Sequence, residues 1–256
     1  MAAWSPSQYL KFEDERTRPA AELLARVALD HPRRILDVGC GPGNSTELLA
    51  ARYPHAEIVG IDSSPEMIAA ARQRLPQAKF VVADVVDYLG PASHDLVFAN
   101  AVLQWVPRHL DLVTRLLEEG SSESVIALQV PDNRDEPTHR LMAEVAREGP
   151  WRARFDQPIA RDPIPTPADY YDRLRPFAAS IDIWHTTYYH ALADAAAIVE
   201  WVDSTGLRPW LDRLAPDERR AYLAIYTERV AEAYAPLVDG RVLLRFPRLF
   251  VVAVRG

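Results

Sequence analysis

The run from Ile35 to Ser45, I-L-D-V-G-C-G-P-G-N-S, constrains the fold of this 256-residue chain more than any other stretch. Ile35, Leu36 and Val38 form a short apolar run with Asp37 set inside it. Gly39, Gly41 and Gly43 follow at once, and then the helix-like Thr46-Glu47-Leu48-Leu49-Ala50. The order predicts strand, tight glycine loop, helix. Glycine has no Cβ and accepts positive φ at little cost, so such a loop lets a ligand approach the backbone closely.

Two ligands suit a loop of this kind, a dinucleotide and S-adenosylmethionine. A pyrophosphate site asks for G-x-G-x-x-G and no negative charge nearby. Here the glycines run G-x-G-x-G, and Asp37 sits two residues before the first, where a carboxylate repels phosphate and attracts the ammonium of a methionine moiety. The charge pattern therefore favours S-adenosylmethionine. About twenty residues on, Glu57-Ile58-Val59-Gly60-Ile61-Asp62 reads as a second strand ending in acid, where a βαβ unit grips ribose hydroxyls. Ser64 with Pro65 behind it can cap the next helix without Asp62, which leaves Asp62 for the ribose.

The rest of the first half repeats the pattern. Helices are expected over 45–52 and 65–75, a third strand over 79–84 ending in Asp84, a fourth over 94–100, a helix over 110–118 and a fifth strand over 124–130. Asp84, at a strand's carboxyl end, is placed to accept a hydrogen bond from an adenine amino group, and Trp105, beyond Asn100 and Ala101, to wall a pocket. Before the first strand, residues 7–29 read as a helix with Tyr9 and Phe12 near its start, so that residues 1–30 are a candidate lid. After Pro131 the chain becomes rich in proline, arginine and aromatic residues, with a helix over 138–148 and then an irregular connection to about Phe177. A β-rich run over 180–190, helices over 193–201 and 216–234, and a closing strand over 242–254 broken by Pro247 complete it. No crossover helix of the usual single length joins the last two strands, so one of them is expected to be antiparallel. The fold class is α/β, a doubly wound, mostly parallel sheet in one domain spanning 1–256, with helical insertions over 132–178 and 191–240 covering the site.

Composition excludes several functions. The net charge of −7 and the lack of a dense basic run argue against a nucleic-acid partner. No apolar run approaches ~18 residues and the start lacks a signal-peptide pattern, so a cytoplasmic chain without a membrane partner is expected. Cys40 is the sole cysteine, which leaves no intramolecular disulfide and no thiolate metal cluster, and no metal is expected. Its position between two glycines invites a nucleophile, but Asp37 nearby raises a thiol pKa.

Three motifs, L-D-V-G-C-G-P-G, V-G-I-D-S-S-P-E-M and A-D-V, together resemble those of the class I S-adenosylmethionine-dependent methyltransferases across residues 33–105. Outside them, W-S-P-S-Q-Y-L-K-F-E-D-E-R, F-A-N-A-V-L-Q-W-V, P-D-N-R-D-E-P-T-H-R and I-V-E-W-V-D-S-T-G-L-R-P-W resemble members of that family acting on a small tricarboxylate. The resemblance maps S-adenosylmethionine contacts onto Gly39, Gly41, Gly43, Asp62 and Asp84, and the expected cofactor site further includes Asp37, Asn44, Ser63, Met67, Val85, Asn100, Ala101 and Trp105. It also implies esterification of one carboxylate of the tricarboxylate; a monomer or weak homodimer is expected. Alternatives are another small carboxylic acid, a carrier-bound malonyl group, or a non-catalytic S-adenosylmethionine-binding regulator.

Methyl transfer to a carboxylate is an in-line displacement, and the carboxylate is already ionised at pH 7, so no general base is needed and neither His139 nor His185 is assigned that task. The expected work is alignment and desolvation. The unreactive carboxylates call for arginine forks. Candidates are Arg152 after Trp151, and Arg245 and Arg248 flanking Phe246-Pro247, with Tyr9, Trp105, Tyr170 and His185 as walls or hydrogen-bond partners.

Overall fold

The computed structural model describes residues 13–88, 94–157, 159, 162–203 and 205–256. Seven strands form one sheet in the order β3-β2-β1-β4-β5-β7-β6. They are β1 (Arg34–Val38), β2 (Glu57–Asp62), β3 (Lys79–Val82), β4 (Leu96–Asn100), β5 (Val125–Pro131), β6 (Ala178–Leu192) and β7 (Val242–Arg255). The pairs β1–β2, β1–β4, β2–β3 and β4–β5 are parallel, whereas β7 runs antiparallel to both β5 and β6. The strand order reverses between β1 and β4, so a crevice opens beside the carboxyl end of β1.

Alternation along the buried strands divides the core into two faces. Ile35, Leu96 and Phe98 pack on one side with Leu23 and Leu24 of α1 (Glu13–Ala25), Val27 just beyond it, and Leu49 of α2 (Asn44–Arg52). Leu36, Val38, Val97 and Ala99 pack on the other with Leu112, Val113 and Leu117 of α4 (His109–Glu119). Between them in sequence lies α3 (Pro65–Arg74), where Ser64 Oγ accepts the Met67 N–H at 3.3 Å and Pro65 occupies the first turn, as the sequence predicts.

The second half adds a layer of helices: α5 (Pro137–Glu148), α6 (Pro167–Leu174), α7 (Ala195–Asp203), α8 (Arg208–Leu211) and α9 (Pro216–Ala233). Tyr222 and Tyr226 of α9 donate their hydroxyls to the carbonyls of Met142 (2.7 Å) and Thr138 (3.0 Å) on α5. Burial without such partners would cost each hydroxyl on the order of 1–3 kcal/mol, so these bonds fix where the two helices meet.

Three expectations about elements need correction. The first helix stops at Ala25 rather than 29, and residues 1–12, with Tyr9 and the start of the candidate lid, lie outside the described residues. The connection after Phe155 is not irregular throughout, because Thr166 and Asp169 form a reciprocal capping box that starts α6. Pro247 does not break β7. Its carbonyl accepts the Asp132 N–H at 3.0 Å, so the donor that proline lacks faces the point where the β5 ladder is already ending.

Candidate active site

The glycine loop turns on three left-handed residues, Gly39 (φ 65°), Gly41 (φ 54°) and Gly43 (φ 94°). A Cβ on Gly39 would lie 2.3 Å from the Val102 side chain, so this position is closed by packing against the exit of β4. A Cβ on Gly41 would meet nothing within 4 Å. The loop therefore has one face sealed and one open.

Asp37, wholly buried under the loop, is held by the start of α2: its Oδ2 accepts from Ser45 Oγ at 2.8 Å and Thr46 Oγ1 at 2.6 Å. Its Oδ1 makes no hydrogen bond among the described residues. Burial pushes its pKa up to about 7, the two hydroxyls oppose the rise, and the charge of Asp62 adds to it. An acid with a raised folded-state pKa stabilises the fold fully below its unfolded pKa near ~4, and that contribution is lost as pH climbs through about 7. Without ligand, the thermal midpoint should fall over this window, and Asp37→Asn should flatten the fall. Melting curves at several pH values check this, and an unchanged slope in the variant contradicts it.

Asp62 Oδ2 accepts the Gly41 N–H at 3.0 Å and Oδ1 the Ser64 N–H at 2.8 Å, which ties the end of β2 to the loop. Burial raises its pKa and the two amides oppose the rise. Ser63 beside it is exposed and Met67 is buried. Asp84 lies two residues beyond the end of β3, exposed, and its Oδ1 accepts the Val86 N–H at 2.9 Å, so it also serves as a turn residue ahead of the half-buried Val85. Cys40 is buried, and desolvation, ahead of Asp37 and Asp62, drives its thiol pKa far up, which leaves no nucleophile there.

Two spaces adjoin at Asn100. A small cleft is lined by Gly39, Cys40, Asn44, Ser45 and Asn100, with Thr17 and Ala20 of α1 against them. A cavity of about 100 Å³ lies on the other side of Asn100. Ala101, Gln104 and Trp105 at the exit of β4, His139 of α5, Trp201 of α7, and Phe246 and Arg248 of β7 contribute to its walls. Ala101 holds φ 56°, a costly conformation for alanine, fixed by its N–H to the Gln129 carbonyl (3.0 Å) and its carbonyl to Gln104 Nε2 (2.6 Å). Beyond Trp105, His139 and Gly206 a groove of about 650 Å³ continues between α5 and α8.

Arg248 is the buried cation of this cavity, 4% exposed. Its Nη1 donates to Gln129 Oε1 at 3.1 Å, and its guanidinium lies 4.8 Å from the centre of the Phe246 ring. His190, stacked on Trp201 at 4.6 Å, is kept neutral: burial first, then the charges of Arg248 and Arg18, lower its pKa to about 4.

Of the side chains expected to meet substrate, the structure places Trp105 and Arg248 on the cavity, while Arg245, His185, Arg152, Trp151 and Tyr170 do not line it and Tyr9 lies outside the described residues. Arg245 points to the opposite face of β7 and pairs with Glu136. His185 pairs with Asp132 at 2.9 Å on the surface, and Arg152 is exposed in a short 3-10 turn. Trp151 is 1% exposed, donates its indole N–H to the Val145 carbonyl and packs on Tyr222. Tyr170 is wholly buried, with its hydroxyl 2.5 Å from His109 Nε2. Gln104, His139, Trp201 and Phe246 also line the cavity without a substrate role expected from the sequence, and of the two arginines flanking Phe246-Pro247 only Arg248 reaches it. The period of two in β7 carried the signal, since Phe246 and Arg248 share a face that Arg245 does not.

Among the described residues no group of three His, Cys, Asp or Glu is placed to hold a metal ion, and no helix is long and apolar enough to cross a membrane.

A parallel sheet reversing at β1, a left-handed glycine loop over a buried acid, and an acid ending β2 together define a class I S-adenosylmethionine-dependent methyltransferase. A family described as a methyltransferase domain matches residues 35–120. Over 256 residues, covering all of both chains, the sequence is 57% identical to the trans-aconitate 2-methyltransferase of Rhodopseudomonas palustris (strain BisB5). The chain belongs to the family of trans-aconitate 2-methyltransferases. More distant structures share the fold: a Haemonchus contortus phosphoethanolamine N-methyltransferase 2 in complex with S-adenosyl-L-methionine (TM-score 0.54, 14% identity, 93% of this chain and 52% of that one). The [4+2]-cyclase SpnF is similar too (TM-score 0.53, 16% identity, 94% and 81%). A cyclase on the same scaffold underlines that the chemistry must be argued from the cavity.

Proposed function

We propose that the enzyme transfers the methyl group of S-adenosylmethionine to one carboxylate oxygen of trans-aconitate, giving the monomethyl ester and S-adenosylhomocysteine. The observation that carries the substrate reading is Arg248, a buried cation set among Trp201, Phe246 and Trp105 next to the glycine loop. The planar fork of its guanidinium matches the geometry of a carboxylate.

The loop fits the cofactor. The open face at Gly41 leaves room for a ligand against the backbone, and Asp37 Oδ1 is an orphaned buried acceptor suited to an ammonium group. Asp62 would hold the ribose, Asp84 and Val85 the adenine, and Asn44, Ser63, Met67, Asn100 and Ala101 would complete the walls. When bound, S-adenosylmethionine supplies an electrophilic methyl group on a sulfonium.

The chain's residues do the rest by position. Arg248 would hold an unreactive carboxylate and so orient the reacting one toward the loop across Asn100. Alignment of this kind can supply ~7–11 kcal/mol of a barrier. Trp105, Trp201 and Phe246 exclude water from a step in which positive and negative charge both disappear, which favours the transition state over the separated ions. His139 is not needed as a base, because the acceptor oxygen carries no proton at pH 7.

A panel of carboxylic acids with methyl-labelled cofactor tests the proposal. kcat/KM for trans-aconitate should exceed that for simple dicarboxylates by roughly tenfold or more, the value of one charged hydrogen-bonded contact. A clear preference for a dicarboxylate or a malonyl thioester would reject the substrate, and binding without turnover of any acid would reject the enzyme.

A further inference from the structure

Gln129 lines neither of the two spaces that meet at Asn100, yet it joins them. It is wholly buried in the middle of β5, between β7 and β4. Its Oε1 accepts from Arg248 Nη1 at 3.1 Å, and its Nε2 donates to Asn100 Oδ1 at 2.5 Å. A relay of side chains thus crosses three adjacent strands, from the cation of the cavity to the residue that borders both spaces.

The direction of this relay is dictated by chemistry. The two ends of an amide are told apart by their hydrogen-bond partners, and a guanidinium has donors only. Gln129 must therefore offer Arg248 its oxygen, which turns its nitrogen toward Asn100. Asn100 must answer with its own oxygen, and the end of its amide not engaged by Gln129 is then a donor. We infer that Gln129 is a positioning residue that sets the site's polarity: through it, Arg248 obliges Asn100 to present N–H groups, so that two donors face one carboxylate. The inference rests on the reading of Arg248 as a carboxylate binder. The anion that meets Asn100 is a carboxylate of the acid substrate or that of the methionine moiety, and the two are told apart by which constant moves.

Gln129→Glu keeps the shape and reverses the logic. Glutamate accepts from Arg248 and accepts again from Asn100, so Asn100 turns over and faces the ligand with its oxygen, while the charge of Arg248 is neutralised from behind. Gln129→Met removes the relay without reversing it. The KM for trans-aconitate, or the Kd for S-adenosylmethionine measured by calorimetry, should rise about tenfold or more in the glutamate variant, equivalent to one charged hydrogen bond. It should rise several-fold less in the methionine variant. A role in packing alone predicts the opposite order, because glutamate is the better isostere, and equal constants in the two variants or a worse methionine variant would overturn the inference.

Should the glutamate variant fail to fold, Asn100→Asp imposes the same reversal at a partly buried position and should show the same loss; unchanged KM and Kd there would refute it. Wild-type turnover of trans-aconitate in parallel separates the two ideas. If the wild type does not methylate it, the substrate reading fails. If it does and the glutamate variant matches it, the polarity relay fails.

Discussion

Replacing Arg248 with methionine is expected to lower kcat/KM for trans-aconitate by about 10²-fold or more, while the Kd for S-adenosylmethionine changes by less than about threefold. Truncating one partner of a buried, hydrogen-bonded charge pair costs ~2–5 kcal/mol, and each 1.4 kcal/mol is a factor of ten. The loss should appear in KM and in kcat, because the proposed role of the arginine is both to bind the acid and to aim it. Arg248→Lys keeps the charge but not the fork, and should recover only part of the loss. His190 reports on the same change: without the guanidinium beside it, its pKa should move up from about 4, which titration of the ring by NMR can follow. Arg245→Met, on the opposite face of β7 and paired with Glu136, should leave turnover near the wild-type value. If Arg245 proves the more damaging position, the cavity is not where the acid binds.

The second large effect separates two glycines that the sequence shows as equals. Gly39→Ala combines a positive φ of 65° with a Cβ 2.3 Å from Val102, so backbone strain and overpacking add. Each is worth ~1–3 kcal/mol, and in a protein of this size that sum lowers Tm by roughly 5–20 °C. Val102→Ala should restore part of it by removing the clash while leaving the strain. Gly41→Ala carries only the strain, since its Cβ points into open space, so its Tm should fall much less. Its cost should appear instead as weaker S-adenosylmethionine binding, by about tenfold or more, because that open space is where the cofactor is proposed to lie. Thermal melts and calorimetry on both variants decide the matter, and parallel losses of stability and affinity in the two would contradict the division of labour.

The cofactor half of the molecule was legible because its signals are local. A strand, a glycine turn and a helix each write their pattern within a dozen residues, and β2 from Glu57 to Asp62 and the cap at Ser64 follow directly. The substrate half is built from distant partners. Trp151 and Tyr170 look like pocket residues in a proline-rich stretch, yet Trp151 is buried against Tyr222 of α9 and Tyr170 against His109 of α4, partners some 60–70 residues away in sequence. Composition cannot show which aromatic side chain points into a cavity and which fills a core. Two signals were nevertheless present and local. Thr166-Pro-Ala-Asp169 is a capping pattern with proline at the first turn, and it marks α6. The alternation Leu244, Phe246, Arg248 separates the buried arginine from Arg245.

The two tyrosine hydroxyls of α9 have a mechanical meaning. By bonding to the carbonyls of Met142 and Thr138, they clamp α9 to the helix that carries His139, so any widening of the cavity on that side has to lift both helices together. Although α9 contributes no side chain to the cavity walls, it acts as a counterweight to one of them. Substitutions far out on α9 should then register in the rate at which acids enter and leave, with the grip on the methyl donor untouched.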